Sequence, residues 1–209
     1  MGKLKLQGCI VGELSTNCYI LQNTETQEAV IVDPGGSYDR IFAKIMQLQV
    51  KPAAILLTHG HFDHIMAVPE LRKRFEIPVY ALLEEEDLLS DPERNLSSWQ
   101  NGSYTAPADI YLTDLQVFEA GGFSIQVLHT PGHTTGSCCY YLAEEGVLVS
   151  GDTLFQGSCG RTDFPGGSMA QMRRSLSRLM NSLPEETQVL PGHGMMTTIE
   201  HEKRYNPFV

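Results

Sequence analysis

No apolar stretch of this chain approaches the roughly 18–20 residues needed to cross a bilayer. The start, Met1-Gly2-Lys3-Leu4-Lys5-Leu6, enters an alternating pattern at once, without the apolar segment of a secretory signal. Leu6 stands where myristoylation needs Ser or Thr. Cysteine is sparse: five residues, at 9, 18, 138, 139 and 159, with no CxxC. That odd, dispersed set argues against a disulfide framework and a thiolate zinc site, and suits a reducing compartment. Basic residues are outnumbered, 15 Lys and Arg against 25 Asp and Glu, and a formal charge of −10 repels phosphate backbones and anionic lipid. Repeats, low-complexity tracts and long Pro/Gly/Ser linkers are also lacking. The expectation is a cytoplasmic protein forming one domain over 1–209, without nucleic-acid or membrane partners; the oligomeric state is left open.

What is present is ample material for a core, with 42% hydrophobic residues. Strands are expected near 3–10, 16–22 and 28–33, then a helix from about Ser37 with Ile41, Phe42, Ile45 and Leu48 on one stripe. A buried strand at 53–57, a helix at 67–75 and a strand at 78–82 follow. The stretch 84–107 is weakly patterned and carries Trp99, the only tryptophan, read as a loop anchor. Strands resume at 110–119 and 123–129 around Gly121-Gly122, then at 137–143 and 146–150. Met169, Met172, Leu176, Leu179 and Met180 have helical spacing and form a core face; a strand at 188–190 and a helix after Thr198 complete a layered α/β fold.

Of seven histidines, five lie in three short motifs. The densest is Thr58-His59-Gly60-His61-Phe62-Asp63-His64, where imidazoles and a carboxylate on a tight turn can converge on metal. His133 follows in Pro131-Gly132-His133-Thr134, Asp152 in Ser150-Gly151-Asp152-Thr153, and His193 in Pro191-Gly192-His193. Each motif follows an apolar strand, where α/β sheets form their sites. Five His and two Asp from four strand ends suggest a two-metal centre. Imidazole and carboxylate without thiolate favour zinc, iron or manganese.

The order T-H-x-H-x-D-H, P-G-H-T, G-D-T, P-G-H resembles the metallo-β-lactamase superfamily over nearly the whole chain. Gly151-Asp152-Thr153-Leu154-Phe155 and Gly160-Arg161-Thr162-Asp163 resemble its glyoxalase II-like branch, the hydroxyacylglutathione hydrolases. The resemblance implies a four-layer αβ/βα sandwich with metals at one edge. It implies a first metal on His59, His61 and His133, a second on Asp63, His64 and His193, and Asp152 bridging both. Asp63 and Asp152 are thereby the catalytic candidates, with two divalent ions, zinc foremost, as cofactor. Departures concern substrate recognition. Only 16 residues follow His193, so the C-terminal helical domain of full-length glyoxalase II enzymes is not expected. Gly194, Met195 and Met196 stand where those enzymes place a tyrosine, and Asp163 where they have another.

Two divalent cations, two carboxylates and one hydroxide leave a net charge of about +1, suited to an oxyanion and an anionic leaving group. A thiolate leaves without a strong general acid, whereas an amide needs a proton donor that the motifs do not offer. The expected activity is therefore hydrolysis of a small-molecule hydroxyacyl thioester such as S-lactoylglutathione. The alternative is a mononuclear iron persulfide dioxygenase on the same fold, with iron on His59, His133 and Asp152. A non-catalytic metal-binding protein is a third reading. Among neighbouring residues, Arg161 binds a substrate carboxylate or forms a surface salt bridge. His129 is read as a supporting or packing group, Asp33 as a turn-forming carboxylate, and Cys159 as a small residue in the loop.

Overall fold

The computed structural model describes residues 3–100 and 102–209. The first sheet contains β1 (Leu4–Val11), β2 (Thr16–Asn23), β3 (Glu28–Val32), β4 (Lys51–Leu56), β5 (Val79–Leu82) and β6 (Ile110–Leu112), side by side in that order. Its first two pairings are antiparallel and the rest parallel. Helices α1 (Tyr38–Leu48), the short α2 (Phe62–Ile65), α3 (Val68–Phe75) and α4 (Glu86–Ser90) lie in its connections. The second sheet contains β7 (Val117–Ala120), β8 (Phe123–His129), β9 (Cys138–Leu142), β10 (Val147–Gly151), β13 (Gln188–Pro191) and β14 (Thr197–Thr198), ordered β14-β13-β10-β9-β8-β7. The hairpin β11 (Leu154–Phe155) and β12 (Ser158–Cys159) lies outside both sheets, and α5 (Met169–Ser182) and α6 (Ile199–Tyr205) complete the order. No helix among the described residues is long and apolar enough to cross a membrane.

The four layers follow from strands that are apolar on both faces. In β2 and β3, Cys18, Ile20, Ala29 and Ile31 pack with Ile41 and Ile45 of α1 and Leu71 of α3. The alternate residues Tyr19, Leu21, Val30 and Val32 instead meet Phe123, Ile125, Val127 and Tyr140 of the second sheet. Leu148, Cys139 and Val189, on the far side of that sheet, pack with Met172, Leu176 and Leu179 of α5. Three buried clusters separate four layers, αβ/βα, as expected. The methionine-rich stripe is the inner face of α5, whose start is capped by Ser168 Oγ accepting from Gln171 N at 3.3 Å.

One expected strand is two. The run 110–119 divides into β6 and β7, which belong to opposite sheets. Gln116 Oε1 accepts from Thr113 N at 3.0 Å and Leu115 has φ 64, so the chain turns there and passes between sheets. The weakly patterned stretch 84–107 is organised by buried Asn95: its side chain donates to Tyr104 O at 2.8 Å and accepts from Ser97 N at 3.0 Å. Its own carbonyl accepts from Phe62 N at 2.9 Å, tying this segment to the histidine-rich turn.

Candidate metal centre

Strand ends from both sheets meet at one edge. The turn after β4 carries His59 and His61, and Asp63 and His64 sit on α2. His133 follows β8, Asp152 follows β10, and His193 follows β13. Cys138 N donates to Thr58 O at 2.9 Å and Asn17 N to Gly192 O at 2.8 Å, joining the sheets on either side of the site. Gly192 approaches so closely that a Cβ there would overlap Asp152 Oδ1. Gly151 has φ +49, and a Cβ would enter the Thr58 side chain, so glycine is required on both counts.

The seven sequence-identified side chains converge. His59, His61 and His133 offer three donor atoms within 4.8 Å of one another; so do Asp63, His64 and His193, and so do His59, His64 and Asp152. His61 Nδ1 and His133 Nε2 are 2.9 Å apart, and His193 Nε2 is 3.3 Å from Asp63 Oδ2. Asp152 reaches both clusters, with Oδ2 at 3.5 Å from His133 Nε2 and 3.6 Å from His193 Nε2. Donors bound at about 2.1 Å to a shared cation stand about 3.0–3.5 Å apart, close to these values. His59 Nε2, His64 Nε2 and Asp152 Oδ1 are buried without a hydrogen-bond partner, an expensive arrangement that a cation resolves.

Burial, reinforced by the neighbouring imidazoles, pushes the His59 and His61 pKa values well down and keeps these rings neutral, as ligation requires. Burial also opposes charge on His64, but Asp63, Asp152 and Asp33 outweigh it and push its pKa up to about 10. The carboxylates thus demand positive charge at this spot, from a proton or from a metal. At Asp63 burial is likewise overcome, chiefly by His64 and His193, and its carboxyl is held below the usual range.

A surrounding layer fixes the donors. His133 Nδ1 faces Arg161 O at 2.7 Å, leaving Nε2 for the centre. Thr16 Oγ1 donates to Asp63 Oδ2 at 3.1 Å. Asp33, expected to order a turn, accepts from Thr58 N at 2.8 Å and Thr58 Oγ1 at 2.6 Å, and also stands 3.0 Å from His64 Nδ1. Buried Glu85 accepts from Gly60 N at 2.9 Å, Gly136 N at 2.8 Å and Thr134 Oγ1 at 3.0 Å, bridging the two turns that carry His59, His61 and His133. Neither Thr16 nor Glu85 sits in a metal motif, and no local sequence pattern marks either one.

The chain matches the Metallo-beta-lactamase superfamily over residues 11–193. It belongs to that superfamily. A relative from Bacillus subtilis (strain 168), the probable metallo-hydrolase YqgX, is 40% identical over 95% of this chain and 94% of its own. The hydroxyacylglutathione hydrolase GloC of Haemophilus influenzae is 34% identical over 92% of each. Among solved structures, the BLEG-1 B3 metallo-beta-lactamase is 45% identical with TM-score 0.92, covering 98% of this chain and 99% of that one. TTHA1623 in a di-iron-bound form is 35% identical with TM-score 0.85, covering 97% and 100%. Superfamily membership agrees with a metal-dependent hydrolase built on the His/Asp clusters.

The remaining candidates are placed differently. His129 turns away, its Nε2 at 2.9 Å from Thr135 O, and enters none of the donor clusters. Arg161 forms the surface salt bridge, to Asp163 through two contacts of 2.7 Å each. Trp99 is no buried anchor: it is 63% exposed and lines the cavity over the metal centre. Burial pushes the Cys159 thiol pKa up, which leaves it protonated and unsuited to nucleophilic attack.

Proposed function

We propose that this chain is a dinuclear metallohydrolase cleaving a small hydroxyacyl thioester, in the manner of a glyoxalase II-type enzyme. The reading rests above all on the second donor cluster, Asp63, His64 and His193, joined to the first through Asp152. His59, His61 and His133 would hold one cation, Asp63, His64 and His193 the other, with Asp152 shared. Divalent ions there would polarise a carbonyl and lower the pKa of water towards neutrality. Zinc is the first choice, and iron or manganese suits the same donors.

The residues themselves position the reaction. Asp33, Thr16 and Glu85 hold the ligating side chains through the contacts described, so the donors need little rearrangement. In hydrolysis the oxygen of water bonds to the acyl carbon, the C–S bond breaks, and the products are a carboxylate, a thiol and one proton. Cleaving a thioester suits the cavity lining, which has no Tyr or Lys among its described residues to protonate an amide nitrogen. The similarity to GloC supports the thioester class. All five cysteines are free, which supports a reducing, cytoplasmic setting.

The deciding experiment loads the protein with Zn²⁺, Fe²⁺ or Mn²⁺ and counts bound metal alongside hydrolysis of S-lactoyl thioesters, S-lactoylglutathione among them. Two equivalents per chain and chelator-sensitive cleavage are expected. One iron per chain with oxygen uptake on glutathione persulfide would replace this reading by the dioxygenase.

A further inference from the structure

A cavity of about 480 Å³ opens onto the metal centre, a volume that suits a small molecule rather than a polypeptide. Its floor is His61, Asp63, His133, Asp152 and His193; its walls are mostly apolar, formed by Leu14, Phe62, Leu96, Trp99, Phe155 and Phe164, with Gln100 and Ser158 among the polar remainder. Leu14 is 51% exposed and Trp99 63% exposed, and Trp99 meets the Phe164 ring edge-on at 6.0 Å. Wide apolar faces left open to water beside a reaction centre gain from covering by an apolar ligand.

The charges around this wall point the same way. Arg161 is the only cationic side chain among the described lining residues, apart from the histidines of the metal motifs. Its Nε and Nη2 both bond Asp163, and its guanidinium lies 3.8 Å from the Phe164 ring centre. The fork that would grip a carboxylate is thus already engaged by one. The adjoining recess, which shares Phe62, Asp63 and Gln100 with the cavity, adds Glu13.

We propose that the cavity takes an apolar, uncharged thiol half of the thioester, and that the Arg161–Asp163 pair makes anionic carriers such as glutathione the poorer substrates. The chemistry rests on the thioesterase reading above, whereas the ligand class rests on the cavity lining alone.

Two measurements separate these dependencies. The first compares, in the metal-loaded protein, S-lactoylglutathione with the S-lactoyl thioester of benzyl mercaptan. The benzyl thioester should have the higher kcat/KM by about tenfold, and Trp99→Ala should raise its KM by a similar factor. Asp163→Asn, which releases the Arg161 guanidinium, should move the ratio of the two kcat/KM values towards the glutathione thioester by about tenfold. Trp99 is exposed, so its truncation leaves the core intact.

The second uses Trp99, the only tryptophan in the chain, as a fluorescent reporter of binding without turnover. Benzyl methyl sulfide should perturb its emission at lower concentration than S-methylglutathione. A wild-type preference for the glutathione thioester, or the reverse ranking by fluorescence, overturns the proposal. If neither thioester is cleaved, the thioesterase reading fails, and the fluorescence ranking alone upholds or overturns the ligand class.

Discussion

Asp33 Oδ2 stands 3.0 Å from His64 Nδ1, so a carboxylate outside the histidine motifs orients the ring and leaves Nε2 towards Asp63 and Asp152. The same carboxylate holds Thr58 at the end of β4, linking the turn's backbone to the ring's orientation. Asp33→Ala should weaken the second metal by about 10–100-fold and the first much less. It should also lower stability by about 1–3 kcal/mol, since the buried Thr58 N–H loses its acceptor. Metal titration followed by denaturant unfolding of the apo-protein reads both; equal weakening at the two sites would refute this division.

Asp152 reaches both clusters through its carboxylate, 3.5 Å from His133 Nε2 and 3.6 Å from His193 Nε2. Asp152→Ala should therefore reduce bound metal from two equivalents to fewer than one and lower kcat by about a thousandfold or more. His129→Ala should keep both metals, because His129 Nε2 is directed at Thr135 O. Elemental analysis of the two variants side by side checks the contrast, and metal loss in the second would contradict the placement of His129.

Glu85 gives a pH signature. Burial pushes its pKa up to about 7 from the ordinary 4.5, against the three hydrogen bonds it accepts. A carboxyl whose folded pKa is raised contributes stability that is present at low pH and is lost as pH rises through the folded value. The apo-protein should therefore lose stability relative to Glu85→Gln between about pH 4.5 and 7, by a total on the order of 3 kcal/mol. Melting curves of both proteins across that range test the sign: a gap that does not change would place Glu85 as an ordinary carboxylate with an unshifted pKa, and a gap moving the other way would mean that its pKa is lowered.

Phe123, 1% exposed, fills the space between the two sheets. Phe123→Ala should cost about 3–5 kcal/mol of stability. Chemical denaturation measures it, and a loss below 1 kcal/mol would mean that the interface collapses around the gap.

Much of this architecture is legible along the chain. The runs Cys18–Leu21 of β2 and Ala29–Val32 of β3 are apolar on both faces, which requires cover on both; the 3.6-residue stripe of α1 supplies it on one side and the second sheet on the other. The candidate metal ligands are equally legible, because His and Asp at close spacing after apolar strands leave a local pattern. The run 110–119 was not, since the break at Thr113–Gln116 depends on a side-chain contact and on a second sheet to receive β7.

The amino-acid order by itself settled which residues can ligate and which strands must be buried, because both properties are carried by side-chain type and short-range period. Only the tertiary structure decided how Thr16, Asp33 and Glu85 serve those ligands, since each acts on residues 25 to 51 positions away. It also decided that Arg161 is engaged by Asp163 while Trp99 lies open over the cavity. The Arg161–Asp163 pair spans only two residues, but the other contacts join distant segments, and no local pattern encodes those.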